Sequence, residues 1–310
     1  MYHVMKLSII GYKNHALRLK TILNEIGVES TLWNHHQDDI NEIKDSDGII
    51  ISSPNDTHVD YIKKILSWEK TPYIFCEKPP AVNLKELIYL DGLDTKIKEK
   101  IFFNFNRRFS SIPKLIEEKN LGRPIHFNFI SSHGLAFKSS DNWRFKSDNE
   151  LMGVYGTVAI HYIDMCIWLL GECEDFKVHK SIFTKSKLAD SVSVDMKFSN
   201  GCTSNIFVSY VTPFVNRSHL IFENGIIEKE GGKLSLFENW ECYDRSGFFV
   251  KPERKVIHEY KSSREYYSES IKNSVNKFVK TIKEKKYFNL NHFEKSIYSN
   301  KILLLGVNND

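Results

Sequence analysis

Two short segments of this chain carry residue types suited to chemistry, and each follows an apolar run. Glu77-Lys78-Pro79 follows Tyr73–Cys76, and Ser53-Pro54-Asn55-Asp56-Thr57-His58 follows Gly48–Ser52. If the runs are parallel strands, both segments lie at carboxyl ends, where ligands bind in open α/β sheets. An ammonium group there can hydrogen-bond a reacting oxygen and stabilise charge that develops on it. The ordinary alternative for Lys78 is a solvated turn with a surface lysine.

A third segment, Gly11-Tyr12-Lys13-Asn14-His15-Ala16, follows the first apolar run. A dinucleotide fingerprint there reads G-x-G-x-x-G/A, with glycines at the tight turn and helix N–H groups facing a pyrophosphate. Gly11 and Ala16 fit this pattern, but Lys13 stands at the second glycine position. Lys13 either meets a phosphate with its charge or obstructs close approach. The acid that would bind ribose hydroxyls after the second strand is also missing. Asn34 is the nearest polar candidate, Asp38 and Asp39 come late, and no arginine waits for a 2′-phosphate. The choice between NAD and NADP therefore stays open.

Further along, His161 and Asp164 share a helical pattern over Val158–Leu170. An imidazole titrates near neutral pH and suits proton transfer, although a lone helical histidine is more often a satisfied core residue. Asp164 either orients that imidazole or pairs with another neighbour. Trp143-Arg144 is either part of a substrate wall or a surface aromatic–cation pair, and Trp168, Leu169 and Leu170 read as core.

The elements that must hold these residues alternate over the first hundred positions. Strands are expected at Lys6–Ile10, Glu29–Trp33, Gly48–Ser52, Tyr73–Cys76 and Ile101–Phe105. Helices are expected at Asn14–Ile26, from a cap at Asp56 or Thr57 to Trp68, and after an Asn83/Glu86 capping box. Such β-α-β alternation implies a doubly wound parallel sheet. After a helix around Ile112–Lys119 the pattern changes. Val192, Val194, Met196 and Phe198 alternate with polar residues, and Asn200-Gly201 and Asn224-Gly225 mark turns, so a large open, mainly antiparallel sheet is expected. The fold class is α/β: a Rossmann domain over 1–107, then an α+β substrate-binding and oligomerisation domain over 108–310. The final helices, within 268–305, are expected to pack back on the first domain.

The bulk numbers narrow the partners. A chain of 310 residues with 41% hydrophobic and 26% charged residues is globular and long enough for two domains. The net charge of +4 is spread among acids, with no basic block beside an aromatic platform, so no nucleic-acid partner is expected. No apolar run approaches the roughly 20 residues that span a bilayer, so no membrane association is expected. The N-terminus shows no cleavable signal pattern. The five cysteines, Cys76, Cys166, Cys173, Cys202 and Cys242, match no zinc or redox spacing. They read as small buried side chains in a cytoplasmic protein without a metal site.

Taken together, the segments resemble the Gfo/Idh/MocA family, the glucose-fructose oxidoreductase and inositol dehydrogenase group. The resemblance rests on Ser53–His58, Cys76–Pro79, Asn104-Phe105-Asn106-Arg107-Arg108-Phe109, Leu121–Pro124, Trp143-Arg144 and His161–Gly171, spread over most of the chain. It implies NAD or NADP as cofactor, held by Gly11, Lys13, Asn34, Ser53, Pro54, Asn55, His58, Glu77 and Lys78. It implies that Lys78 lies beside the nicotinamide and the reacting carbinol, with His161 on the substrate's other side and Thr157, Trp143, Arg144 and Asp164 around the substrate. The implied activity is hydride transfer at a hydroxyl or carbonyl carbon of a sugar, cyclitol or nucleotide-sugar, by a homo-oligomer (dimer or tetramer). Surface-polysaccharide sugar biosynthesis is the setting the resemblance suggests. The family pattern usually places an aspartate four residues before the histidine, where this chain has Thr157. That departure and Lys13 keep three alternatives open: an NAD-dependent glycosidase, an imine or bilin reductase, or a non-catalytic ligand-sensing homologue.

Overall fold

In the computed structural model, residues 5–34, 38–135, 151, 153–238, 243–250 and 252–307 are described. The chain divides into two compact units, Met1–Asn106 with Ile271–Leu304 and Arg107–Ser270 with Leu305–Asp310.

The first unit holds five parallel strands: β1 (Leu7–Ile10), β2 (Ser30–Trp33), β3 (Gly48–Ile51), β4 (Tyr73–Cys76) and β5 (Ile101–Phe103). Their order is β2-β1-β3-β4-β5. β1, β3 and β5 are buried along their whole length, as continuous apolar runs covered on both faces must be. Helices Asn14–Glu25, His58–Leu66, Leu84–Asp91 and Thr95–Lys98 lie between the strands in sequence. Asn83 accepts a bond from Glu86 N at 2.9 Å, and the Glu86 carboxylate reaches back to Val82 N at 2.9 Å, one residue earlier than a standard capping box. Thr57 does not cap. A 3₁₀ turn at Asn55–Thr57 runs straight into the next helix, and the Thr57 hydroxyl turns back to Pro54 O. The Ile271–Leu304 segment completes this core. Phe278 meets Phe75 edge-on at 5.3 Å, and His292 stacks on Phe102 at 4.3 Å while its Nε2 lies 3.0 Å from Phe103 O.

The second unit holds β6 (Pro124–Ser132), β7 (Cys173–Ser181), β8 (Ser191–Phe198), β9 (Thr203–Ser209), β10 (Val215–Phe222), β11 (Gly225–Glu230), β12 (Lys233–Glu238) and β13 (Lys255–Glu259). They form one sheet, β13-β12-β11-β10-β6-β9-β8-β7, antiparallel except where β6 meets β9. The Asn200-Gly201 turn joins β8 to β9 as its sequence requires. At the second turn, Phe222 pairs with Gly225, so Glu223-Asn224 turns the chain and Gly225 already belongs to β11. Val192, Val194, Met196 and Phe198 are buried, while Asp195 and Lys197 between them are exposed. Tyr162 on the helix Ile160–Leu170 meets Phe129 of β6 at 5.1 Å, placing this helix on the sheet's apolar face. Among the described residues, no helix is long and apolar enough to cross a membrane.

Candidate active site

The sheet order of the first unit brings the carboxyl ends of β1, β3, β4 and β5 together. Gly11 follows β1 with φ +136°, and a Cβ there would lie 2.6 Å from Ser52 O at the end of β3. Only glycine fits, which leaves bare backbone at the turn into the helix Asn14–Glu25. That helix starts with no side-chain cap and no acid in its first turn, so no side chain of its own answers its first N–H groups or positive dipole end. Lys13, the residue before the helix, is exposed. This cradle fits a dinucleotide pyrophosphate.

Asn34 is half-buried after β2, and its N–H donates to the Asp38 carboxylate at 2.9 Å. Asp39 accepts from Asn41 N at 3.0 Å. Both acids serve their own loop. After β3, Ser53 and Asn55 are half-buried and Pro54 is exposed. Thr57 Oγ1, whose hydrogen goes to Pro54 O, lies 2.7 Å from Ser53 Oγ.

His58 departs from expectation, since it is wholly buried and offers no ring edge to a cofactor. Its Nδ1 lies 2.9 Å from Pro79 O and its Nε2 3.2 Å from Ser53 O. Burial pushes its pKa down, against the pull of both carbonyls and Glu77. A neutral ring has one N–H, and the shorter contact assigns it to Nδ1. His58 thus ties the segment after β3 to the segment after β4. It positions the crevice rather than lining it.

Glu77 is also more committed than the sequence suggests. Its Oε1 accepts from Asn104 Nδ2 at 2.7 Å and lies 2.8 Å from His15 Nε2. Burial raises its pKa, but His15, Asn104 and Lys78 outweigh burial and leave the carboxyl below its ordinary value. His15 and Asn104 escaped the sequence reading. Spacing alone gives no sign that the first turn of a helix, the end of β4 and the end of β5 converge on one carboxylate. Lys78 is half-buried next to this cluster, and its peptide to Pro79 is cis.

In the second unit, His161 is half-buried near the start of Ile160–Leu170. A π-helical turn, Tyr155–Ala159, precedes it. Wide turns of this kind recur at functional sites. Gly156 permits it, because a Cβ there would lie 2.2 Å from Leu151 O. Thr157 Oγ1 donates to Gly153 O at 2.7 Å and lies 2.5 Å from Tyr210 OH. A hydroxyl has one hydrogen. Since Thr157 gives its own to Gly153, the Tyr210 phenol donates to Thr157. Tyr210 in turn meets the His133 ring at 4.8 Å. Where the family pattern has a carboxylate, this chain places a threonine–tyrosine pair.

Asp164 is corrected from substrate ligand to structural anion. Arg108 donates Nε–H to its Oδ2 at 2.9 Å and Nη2–H to its Oδ1 at 2.5 Å, with both side chains buried. Of the two alternatives, it pairs with a neighbour. Trp168 and Leu169 are half-buried instead of core, and the Arg108 guanidinium lies 4.6 Å from the Trp168 ring centre. Trp143 and Arg144 lie outside the described residues, as does Cys242. Cys76, Cys166 and Cys202 are buried and free, while free Cys173 is half-buried. Lys78 and His161 belong to different units.

The comparisons with known proteins agree with this layout. Residues 7–103 match the oxidoreductase family model with an NAD-binding Rossmann fold, and residues 109–228 match the GFO/IDH/MocA C-terminal domain. Inositol 2-dehydrogenase of Salmonella typhimurium is 29% identical over 175 residues, which are 55% of this chain and 48% of that one. The chain thus spans about half the length of that relative. Glucose-6-phosphate 3-dehydrogenase of Bacillus subtilis is 27% identical over 238 residues, 67% of each chain. A myo-inositol dehydrogenase structure from Corynebacterium glutamicum shares the fold with a TM-score of 0.75 at 16% identity, covering 98% of this chain and 96% of that one. With both halves matched in order, on a parallel five-stranded unit followed by a mainly antiparallel sheet, the chain belongs to the Gfo/Idh/MocA oxidoreductase family.

Proposed function

We propose that this chain is an NAD(P)-dependent oxidoreductase acting on a hydroxyl or carbonyl carbon of a sugar, cyclitol or nucleotide-sugar. One observation carries the reading: the bare Gly11 turn and the Glu77–Pro79 segment meet at the carboxyl edge of one parallel sheet. Nicotinamide, when bound, supplies the hydride acceptor or donor. The Gly11 backbone, the first turn of Asn14–Glu25, Lys13, Ser53 and Asn55 would hold the dinucleotide.

Lys78 donates a hydrogen bond to the reacting oxygen and stabilises its alkoxide character. His161 is the acid–base candidate, since an imidazole can take a hydroxyl proton in oxidation and return it in reduction. Thr157, one turn before His161, stands with Tyr210 in place of a carboxylate, and because both hydroxyl hydrogens are committed the pair can only accept from a substrate. The half-buried Phe207 and exposed Phe183 line an open hollow of 440 Å³ on the outer face of β7, β8 and β9. This face supports association of two or four copies. Free cysteines and nicotinamide chemistry support a place in the cytoplasm.

Titration of the protein with NADH and NADPH, followed by nicotinamide fluorescence, tests the reading. Saturable binding of either is expected at micromolar to millimolar concentration, on the order of ordinary cofactor affinities. Absence of binding by both would remove the enzyme reading and leave the ligand-sensing one.

A further inference from the structure

The Glu77 carboxylate is loaded on one side. Both of its side-chain donors, His15 Nε2 and Asn104 Nδ2, converge on Oε1. Oε2 receives neither. The neighbouring amide is equally one-sided. An ionised carboxylate accepts hydrogen bonds and cannot donate, so Glu77 fixes which end of the Asn104 amide faces it. The Asn104 nitrogen points at Glu77 and its oxygen points away. That oxygen is buried, in a side chain 2% exposed, and meets no donor among the described residues.

A buried acceptor without a donor is costly and rare in folded proteins. A donor brought by a ligand is one way to complete it. Here the open acceptors belong to two residues joined by one hydrogen bond, at the ends of adjacent strands β4 and β5. Glu77 directly precedes the half-buried Lys78 in the chain. Their complement is a group with two hydrogens on one atom, and a primary amide nitrogen is such a group. A hydroxyl would satisfy only one of the two. Nicotinamide carries a primary amide on the ring that gives or takes the hydride.

We propose that Asn104 Oδ1 and Glu77 Oε2 form a two-acceptor subsite for the nicotinamide carboxamide nitrogen, with His15 holding Glu77 in register. The proposal rests on the nicotinamide reading above and goes beyond it by adding Asn104 and His15 to the cofactor site and giving Glu77 the carboxamide as its contact. A carboxamide pinned on this side fixes which face of the ring the substrate meets. Lys78, next in the chain to Glu77, is held in the same frame.

The test uses equilibrium binding to the intact chain. The probes are NAD and 3-acetylpyridine adenine dinucleotide, in which a methyl group replaces the amide nitrogen. Wild type is expected to bind NAD more tightly by about 10- to 100-fold, the range for a hydrogen-bonded pair that includes a charged acceptor. In Asn104→Leu the ratio should fall several-fold towards unity through weaker binding of NAD. His15→Gln, which keeps a donor for Oε1, should retain most of the wild-type ratio.

Equal affinity of wild type for the two dinucleotides overturns the proposal, and needs no variant to fold. So does an Asn104→Leu protein that discriminates as wild type does. If wild type binds neither dinucleotide, the nicotinamide reading itself falls and takes the subsite with it. That result is distinct from equal binding.

Discussion

The two units each place a carboxylate among cations at the edge of a sheet or helix, and they finish the task differently. Asp164 in the second unit is sealed: its side chain is 0% exposed, that of Arg108 is 1% exposed, and both carboxylate oxygens are taken. Glu77 in the first unit is left half-finished: His15 is 33% exposed, and both donors share one oxygen. A carboxylate with both oxygens answered by the protein holds architecture together. One whose second oxygen is left open has capacity for a ligand. The same contrast separates His58 from His161. The first is buried and spends its one N–H on the Pro79 carbonyl, and the second stands half-buried on a helix next to a π turn.

The sharpest way to break this comparison is through turnover. Lys78→Met and His161→Ala are each expected to lower kcat by about 100- to 10,000-fold, the range for a positioned acid–base or charge-stabilising group. The melting temperature should stay near wild type. Thr157→Val should cost far less, because its hydroxyl is already spent on Gly153 O and Tyr210 OH. Rate and melting must be measured on the same preparations. A His161→Ala protein that melts early yet keeps its rate per folded molecule would move His161 into the class of His58.

The second effect is on stability, and it should run the other way. Asp164→Ala leaves the Arg108 guanidinium buried without its anion, which costs about 3–5 kcal/mol in comparable sites. His15→Ala removes a contact that is one-third open to water and should cost no more than about 1 kcal/mol. Urea unfolding of both variants compares the pairs directly. Equal losses would show that the Glu77 cluster is as structural as the Arg108 pair.

Much of this layout was legible in the sequence, and the reason differs by region. The parallel strands of the first unit announce themselves because burial on both faces demands unbroken apolar runs such as Gly48–Ile51. The β8–β9 hairpin is equally plain from alternation and Asn200-Gly201. Sequence periodicity did not expose the parallel pairing of β6 with β9, because 70 residues separate the strands and pairing partners leave no local mark. Side-chain partners were harder still. Arg108 with Asp164, Asn104 with Glu77 and Tyr210 with Thr157 join residues brought together only by tertiary structure. Asp164 therefore read as a site residue and proved to be a strut, whereas Asn104 was hidden inside a family segment.

The smallest effect concerns a cation that no acid answers among the described residues. Lys229 on β11 is 1% exposed, and its ammonium donates to Asn216 Oδ1 at 2.8 Å and Gly231 O at 2.9 Å. It also lies 4.4 Å from the Tyr266 ring centre. Burial, reinforced by Arg107, pulls its pKa down to about 7 from 10.5. The folded state then binds fewer protons than the unfolded state between about pH 7 and 10.5. Stability must rise with pH across that window, because unfolding takes up a proton there. One proton sets the ceiling at about 1.4 kcal/mol per pH unit, and the two carbonyl acceptors and the aromatic face, which favour the cation, keep the slope below it. Below pH 7 the lysine is charged in both states and the slope vanishes. Urea midpoints measured from pH 7 to 9 should climb in wild type, and the lysine's share of that climb should be lost in Lys229→Met. Identical slopes in the two proteins would show that Lys229 stays charged in the fold. It would then join Arg108 as a cation whose charge is fully supported by its surroundings.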